Sequence, residues 1–250
     1  MNKINWEETK FRASSWGNLL TEPKTKEEKA AGILSVTTQK ELIKIYNQVK
    51  YGRKKDITTS QMDKGKIQEP ISIQLFSVVE GVMYFKNEDA LENAFFSGHP
   101  DIFTGHDIQN AEEVSDIKSS WELDTFMPKL IEEPDKGYVA QLNVYYDLTG
   151  AQGGSIAYCL VDCPLEVLEA EKRKLLYAMN VISEESPEYK RAASELEHLL
   201  TFPDIPEQER VIKKYVPRDE ELIQKMKSKV PIFRNWLAEF EKKHTSLYVH

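Results

Sequence analysis

The sequence predicts an α/β fold, with a central mixed β-sheet flanked by helices and a mainly helical C-terminal extension. Three features point there. Glu113–Ser119 and Ser155–Val161 have strand character and are separated by a stretch of helical period, and a strand–helix–strand order makes two strands parallel through a crossover. Between Gly81 and Ser119 short strand-like runs are joined by short turns, as in an antiparallel meander. Beyond residue 163, helix caps and helical periodicity dominate. We therefore divide the chain into a core, residues 1–163, and an extension, residues 164–250, packed on it.

In order along the chain, residues 1–35 read as irregular with one short helix. Ser14 or Ser15 caps it, Trp16, Leu19 and Leu20 form its apolar side, and Pro23 ends it. Lys24–Lys29 reads as an exposed charged segment. A longer helix starts near Thr38, where Thr38 and Glu41 have capping-box spacing. Leu42, Ile45, Tyr46 and Val49 give it an apolar stripe, and Gly52 ends it. The next helix opens at Ser60 and carries Ile71, Leu75, Phe76 and Val79. Pro70 is expected to kink it beside Glu69, and Gly65, one turn earlier, leaves room for a backbone or ligand.

From Gly81 the pattern turns to strands. Val82 and Tyr84 alternate, Ala94-Phe95-Phe96 leads into Gly98, and a third strand covers Glu113–Ser119. Ser120 reads as the cap of a helix through Trp121, Phe126, Met127 and Leu130, broken by Pro134–Gly137. A helix from about Tyr138 to Leu148 ends at Gly150, and the apolar run Ser155–Val161 reads as a central, buried strand. Pro164 opens a helix to about Asn180, and Ser186-Pro187 is an Ncap–N1 pair for another ending near Leu200. Arg210–Val216 reads as a short strand, and Asp219 opens the last helix.

Composition sets outer limits. Across 250 residues, 40% are hydrophobic and 30% charged, the balance of a globular rather than a disordered chain. No run approaches the ~18 apolar residues of a membrane span, and the start lacks the character of a signal peptide. Cys159 and Cys163 are too few and too close for a secreted disulfide scaffold, so we expect an intracellular, cytoplasmic protein with no membrane partner. The net charge of −8 is unevenly spread: residues 1–60 carry 12 Lys and Arg against 7 Asp and Glu. A basic N-terminal quarter on an acidic body suits a protein that meets phosphates in one groove, although charged helix surfaces also serve solubility alone.

The chemistry concentrates between Gly98 and Trp121. Side chains alternate along a strand, so Asp116 and Lys118 share a face while Ile117 points to the other. Asp101, between Pro100 and Ile102, sits in or beside a neighbouring strand. Two acids and a base on one sheet face make a divalent-metal site with a cation beside it, which suits phosphodiester cleavage. The plainer alternative is an ion pair at a strand end and a solvent-facing Glu69. His99 and His106 flank the site loop, and Trp16 and Trp121 are better core residues than base platforms.

Gly65-x-x-x-Glu69, Gly98-x-x-Asp101, Asp116-x-Lys118 and Gln141-x-x-x-Tyr145, in that order, resemble the motifs of the PD-(D/E)xK nucleases. More narrowly, they are similar to the branch that holds the lambda-type phage exonucleases, the YqaJ viral recombinases and the RecB nuclease domain. The resemblance covers about residues 10–163, and Ala13-Ser14-Ser15 resembles the opening of many lambda-type members. It implies a restriction-endonuclease-like core. It also implies Mg²⁺, with Mn²⁺ as a substitute, held by Asp101, Asp116 and the carbonyl of Ile117, with Glu69 completing the site directly or through water. Lys118 would hold or activate the attacking water, while Gln141 and Tyr145 would position that water, Lys118 or a phosphate. By charge, Lys10, Arg12, Arg53, Lys54 and Lys55 are candidates for DNA phosphates; Ser15, Tyr145 and His99 complete the DNA-facing set.

Two departures from the family pattern stand out. Asp116 replaces the glutamate of many lambda-type members, and Arg12 does not align cleanly with their phosphate-holding arginine. The iron–sulfur branch needs four cysteines and is excluded. What the resemblance implies is a Mg²⁺-dependent exonuclease that resects duplex DNA ends, 5′→3′, for a single-strand annealing partner, with a homo-oligomer as a further expectation. A structure-specific or defence endonuclease with the same metal site is one alternative. A catalytically idle nuclease fold serving as a DNA-binding or interaction module is another, and it predicts a missing ligand.

Overall fold

The computed structural model describes residues 4–53 and 60–246, with the backbone alone for 60–67. Seven strands are described: β1 (Phe11–Arg12), β2 (Leu91–Glu92), β3 (Phe96–Gly98), β4 (Ile102–Thr104), β5 (Glu113–Ser120), β6 (Gly153–Leu160) and β7 (Val211–Pro217). The helices are α1 (Trp16–Leu19), α2 (Lys26–Ala30), α3 (Val36–Tyr51), α4 (Ser60–Glu80), α5 (Leu123–Phe126), α6 (Lys136–Thr149), α7 (Leu165–Ala178), α8 (Pro187–Leu200) and α9 (Glu220–Ser246). Of the expected basic cluster, only Arg53 is described, and it is exposed; Lys54 and Lys55 lie outside the described residues.

The main sheet has the order β4-β5-β6-β7. The pair β5–β6 is parallel, with Lys118 opposite Tyr158, and both outer pairs are antiparallel. The mixed sheet and its crossover through α6 are as the sequence predicts. All eight residues of β6 are buried, which suits the central position its apolar run requires. A second, small sheet has the order β1-β3-β2.

Two cores cover the two faces of the main sheet. On one, Val114, Ile156, Leu160, Ile212 and Val216 join residues of α1, α3, α6 and α9, among them Trp16, Tyr46, Tyr146 and Phe233. On the other, Ile102, Ile117, Ala157 and Cys159 meet Ile73, Leu75 and Phe76 of α4. The alternation along β5 thus puts Asp116 and Lys118 on the α6 side and Ile117 on the α4 side. Strand β7 and helix α9, both beyond residue 163, supply an edge of the sheet and part of the larger core. Cys159 is free and buried, and burial pushes its thiol pKa up to about 12, which leaves it an apolar filler.

Several local expectations are corrected. Helix α3 starts earlier than Thr38: Ser35 is its N-cap, its hydroxyl accepting from Thr38 N at 3.0 Å. Glu41, freed from a capping box, accepts instead from Ser15 Oγ at 3.1 Å and Asn18 Nδ2 at 3.0 Å. Part of the charged segment forms α2, closed by a true capping box between Thr25 and Glu28. Ser15 stands at the N-cap of α1, but its hydroxyl goes to Glu41 and makes no cap hydrogen bond, and the helix ends at Leu19, before Pro23 is reached.

Val82 and Tyr84 form no strand. The N–H groups of Gly81 and Val82 return to Val78 O and Ser77 O as the cap of α4, and Tyr84 N donates to Ser77 Oγ at 3.1 Å. The Val82 and Tyr84 donors, which would share one edge of a strand, are thereby taken from any partner on that edge. The meander is also split, because β3 and β4 belong to different sheets. Ser120 ends β5, its carbonyl accepting from Val161 N at 2.8 Å, so α5 begins later, after Glu122. Helix α4 runs through Pro70, and the side-chain surroundings of Gly65 lie outside the described residues.

Candidate active site

The polar groups converge where β4 stops short of its neighbour. The antiparallel pairing of β4 with β5 ends at Ile102 and Ser115, so β5 runs on beyond it with a free edge. Asp101, the residue before β4, fills that edge: its Oδ2 accepts from Ile117 N at 2.7 Å, in place of the missing strand partner. Within a strand the N–H and C=O of one residue leave on the same side, so the Ile117 carbonyl also faces this edge.

Asp116 is 1% exposed and projects from β5 towards α6. Its Oδ1 accepts from Gln141 Nε2 at 2.9 Å, and the same amide reaches Tyr145 Oη at 2.8 Å. Gln141 and Tyr145 lie one turn apart on α6, whose register is set by Asp135 at its N-terminus and left-handed Gly150 at its end. Tyr145 is held in turn by the close approach of Gly98, where a Cβ would fall 2.8 Å from Tyr145 Cε1. Asp116 Oδ2 is buried with no aligned hydrogen-bond donor; Lys118 Nζ lies 2.7 Å away and meets it as a charge.

Glu69, Asp101, Asp116, Ile117, Lys118 and Gln141 line a single cleft of about 800 Å³. Glu69 stands at its margin, both carboxylate oxygens 3.4 Å from Lys86 Nζ. The lining also includes Ser119, Ser120, Trp121, Thr125, Lys129, Asp135, Tyr138 and Tyr158. Of these, Lys129, Tyr138 and Tyr158 escaped the sequence reading, although Tyr138 lies three residues before Gln141 on the same helix face.

The electrostatics are those of crowded acids. Burial and the neighbouring Asp116 push the Asp101 pKa up to about 7, against the opposing pull of Lys118 and the Ile117 N–H. Burial raises the Asp116 pKa too, and Lys118 works against that rise. For Lys118, burial disfavours the ammonium, but Asp116, with Asp101 and Tyr138, more than offsets this and its pKa is raised. Burial, followed by the charges of Asp116 and Asp101, drives the Tyr145 phenol upward, and Arg12 is near enough to oppose this.

The remaining expected residues are dispersed. Arg12 is exposed on β1, and its charge is felt at Tyr145. Ser15 is turned to Glu41, and His99 is exposed in the turn before Asp101.

Among the described residues no three His, Cys, Asp or Glu side chains meet as a ready metal cluster. A hard divalent ion needs less. Mg²⁺ is commonly bound through one or two carboxylates while it retains several waters. A buried Asp116 and a half-buried Asp101 that repel each other, an unaligned Asp116 oxygen and an outward carbonyl at Ile117 fit that donor set.

No protein-family model matches the chain, and no curated protein is significantly similar to it. Solved structures are. A phage related exonuclease from Haemophilus somnus 129PT superposes with a TM-score of 0.72 at 23% identity, over 95% of this chain and 97% of that one. This chain has the fold of that exonuclease. The alkaline exonuclease LHK-Exo from Laribacter hongkongensis matches with a TM-score of 0.61 at 14% identity, over 96% and 97% of the two chains. Its complex with dAMP matches at the same TM-score and 16% identity, over 95% and 93%. The likeness runs through β7 and α9 as well as the first 163 residues. Among the described residues no helix is long and apolar enough to cross a membrane.

Proposed function

We propose that the protein is a divalent-metal-dependent deoxyribonuclease that degrades duplex DNA from its ends. One observation carries the reading: Asp101, just ahead of β4, and Asp116, on β5, line one open cleft together with Lys118. The exonuclease fold and the dAMP bound by one similar protein add support. Mg²⁺ is the expected ion, with Mn²⁺ in its place when supplied. Asp101, Asp116 and the Ile117 carbonyl would hold it, with Glu69 contributing through water.

When bound, such an ion supplies Lewis-acid polarisation of the phosphoryl oxygens. The chain's own residues do the rest. Lys118 places a positive charge where negative charge grows on the phosphate as water attacks, and it orients that water. Gln141 fixes the Asp116 carboxylate by one hydrogen bond and is itself fixed by Tyr145. Arg12, exposed on β1 and close enough for its charge to be felt at Tyr145, is the candidate cation for a DNA phosphate. Resection is 5′→3′, and a single-strand annealing protein and a second copy of the chain are the expected associates.

The test is end-labelled linear duplex in Mg²⁺, with 5′-phosphate and 5′-hydroxyl ends compared, beside closed circular DNA. Cutting of linear duplex alone, abolished by Lys118→Ala with DNA affinity retained, is the expected result. Cutting of closed circles would favour an endonuclease, and no cutting in any divalent ion would overturn the reading.

A further inference from the structure

Lys118 has neighbours beyond the carboxylates. Its Nζ lies 4.5 Å from the centroid of the Tyr138 ring, over the ring face. Tyr158, its cross-strand partner on β6, borders the same cleft. Tyr138 is held in place from two sides. Asp135 Oδ1 caps α6 through Gly137 N at 2.8 Å and Tyr138 N at 3.2 Å. The backbones of Gly137 and Gly17 also touch, so closely that a Cβ on Gly17 would lie 2.9 Å from Gly137 Cα. Tyr138 and Gln141 lie one turn apart on α6, and both side chains reach residues of β5, Lys118 and Asp116.

A lysine on a four-carbon stem at the side of an 800 Å³ cleft has many rotamers to lose. Asp116 confines it, but only while its Oδ2 is available to the ammonium. A divalent cation competes for that same oxygen with twice the charge. The ring face of Tyr138 attracts the ammonium through the ring quadrupole whatever Asp116 is doing.

We propose that Tyr138 is a positioning residue for Lys118: its ring holds Nζ at the cleft when a cation engages Asp116. The inference rests on reading the cleft as a phosphodiester-cleaving site. It assigns the role to the ring rather than the hydroxyl, so phenylalanine should serve and leucine should not.

Two measurements test it. With linear duplex as substrate, Tyr138→Leu should lower kcat about tenfold with KM nearly unchanged, and Tyr138→Phe should restore kcat to within about threefold. In the metal-free protein, reductive methylation with ¹³C-formaldehyde keeps the lysine charge and adds methyl groups, and the Lys118 signal is assigned by its loss in Lys118→Arg. That signal should show an upfield ring-current shift in the wild type and in Tyr138→Phe, and lose it in Tyr138→Leu. A Tyr138→Leu enzyme as fast as the wild type, or a Lys118 signal indifferent to the ring, overturns the proposal. If the wild type cuts no DNA while the ring-current pattern holds, the nuclease reading fails and the Tyr138–Lys118 contact stands.

Discussion

Gln141 Nε2 donates to Asp116 Oδ1 at 2.9 Å, joining helix α6 to the strand that carries the acid. A buried carboxylate that loses such a donor keeps its desolvation cost without the compensation. Gln141→Leu should therefore destabilise the protein by about 2 kcal/mol and lower activity at least tenfold. Chemical denaturation and DNA degradation assays check the two effects.

The crowding of Asp101 against Asp116 has a signed consequence for stability. The folded-state pKa of Asp101, about 7, stands above its ordinary value of 3.8. The folded state thus holds a proton that the unfolded chain has released over that window, and stability falls as pH rises through 7. With chelator present, the wild type should melt at a lower temperature at pH 8 than at pH 6. Asp101→Asn, which still accepts from Ile117 N but does not titrate, should flatten that dependence and raise the melting temperature at pH 8. An unchanged melting profile in the variant would refute the assignment.

Two glycines do different work. A Cβ on Gly154 would sit 1.7 Å from Val114 O, inside the backbone of the neighbouring strand. Gly154→Ala should yield no soluble folded protein, as read by expression and circular dichroism. At Gly98 the obstacle is the ring of Tyr145, at 2.8 Å, which can shift. Gly98→Ala should fold but displace Tyr145 and with it Gln141, costing activity more than stability.

Tyr146 ties the C-terminal segment to the core. Its buried hydroxyl donates to Val216 O at 2.8 Å on β7, and its carbonyl accepts from Arg218 Nη1 at 2.7 Å. Tyr146→Phe should cost about 1–2 kcal/mol. Hydrogen exchange should show the loss of protection spreading through β7 and α9 together with β6, as one unit. Faster exchange confined to β7 and α9 would instead mark an independent extension.

Pattern and punctuation in the sequence determined a good deal. The period-2 alternation of β5 placed Asp116 with Lys118 and Ile117 opposite, because a strand has only two faces. Gly52 and Gly150 marked helix ends, since both take the left-handed conformation that side chains resist. The unbroken apolar run of β6 foretold a strand covered on both sides. Four short polar motifs in order pointed to one cleft, and Glu69, Asp101, Asp116 and Gln141 all line it.

Tertiary structure decided what depends on partners far along the chain. Whether Val82 and Tyr84 pair was settled by Ser77, which takes their donors, and Thr38 lost the cap to Ser35 because its hydroxyl is drawn inward to Thr21. The rest of the cleft lining was hidden for the same reason. Tyr138, Tyr158 and Lys129 matter by where they stand, on a helix turn, a neighbouring strand and a short connecting segment. Local periodicity records which face a residue takes, while proximity between elements comes only from how the sheet and α6 pack.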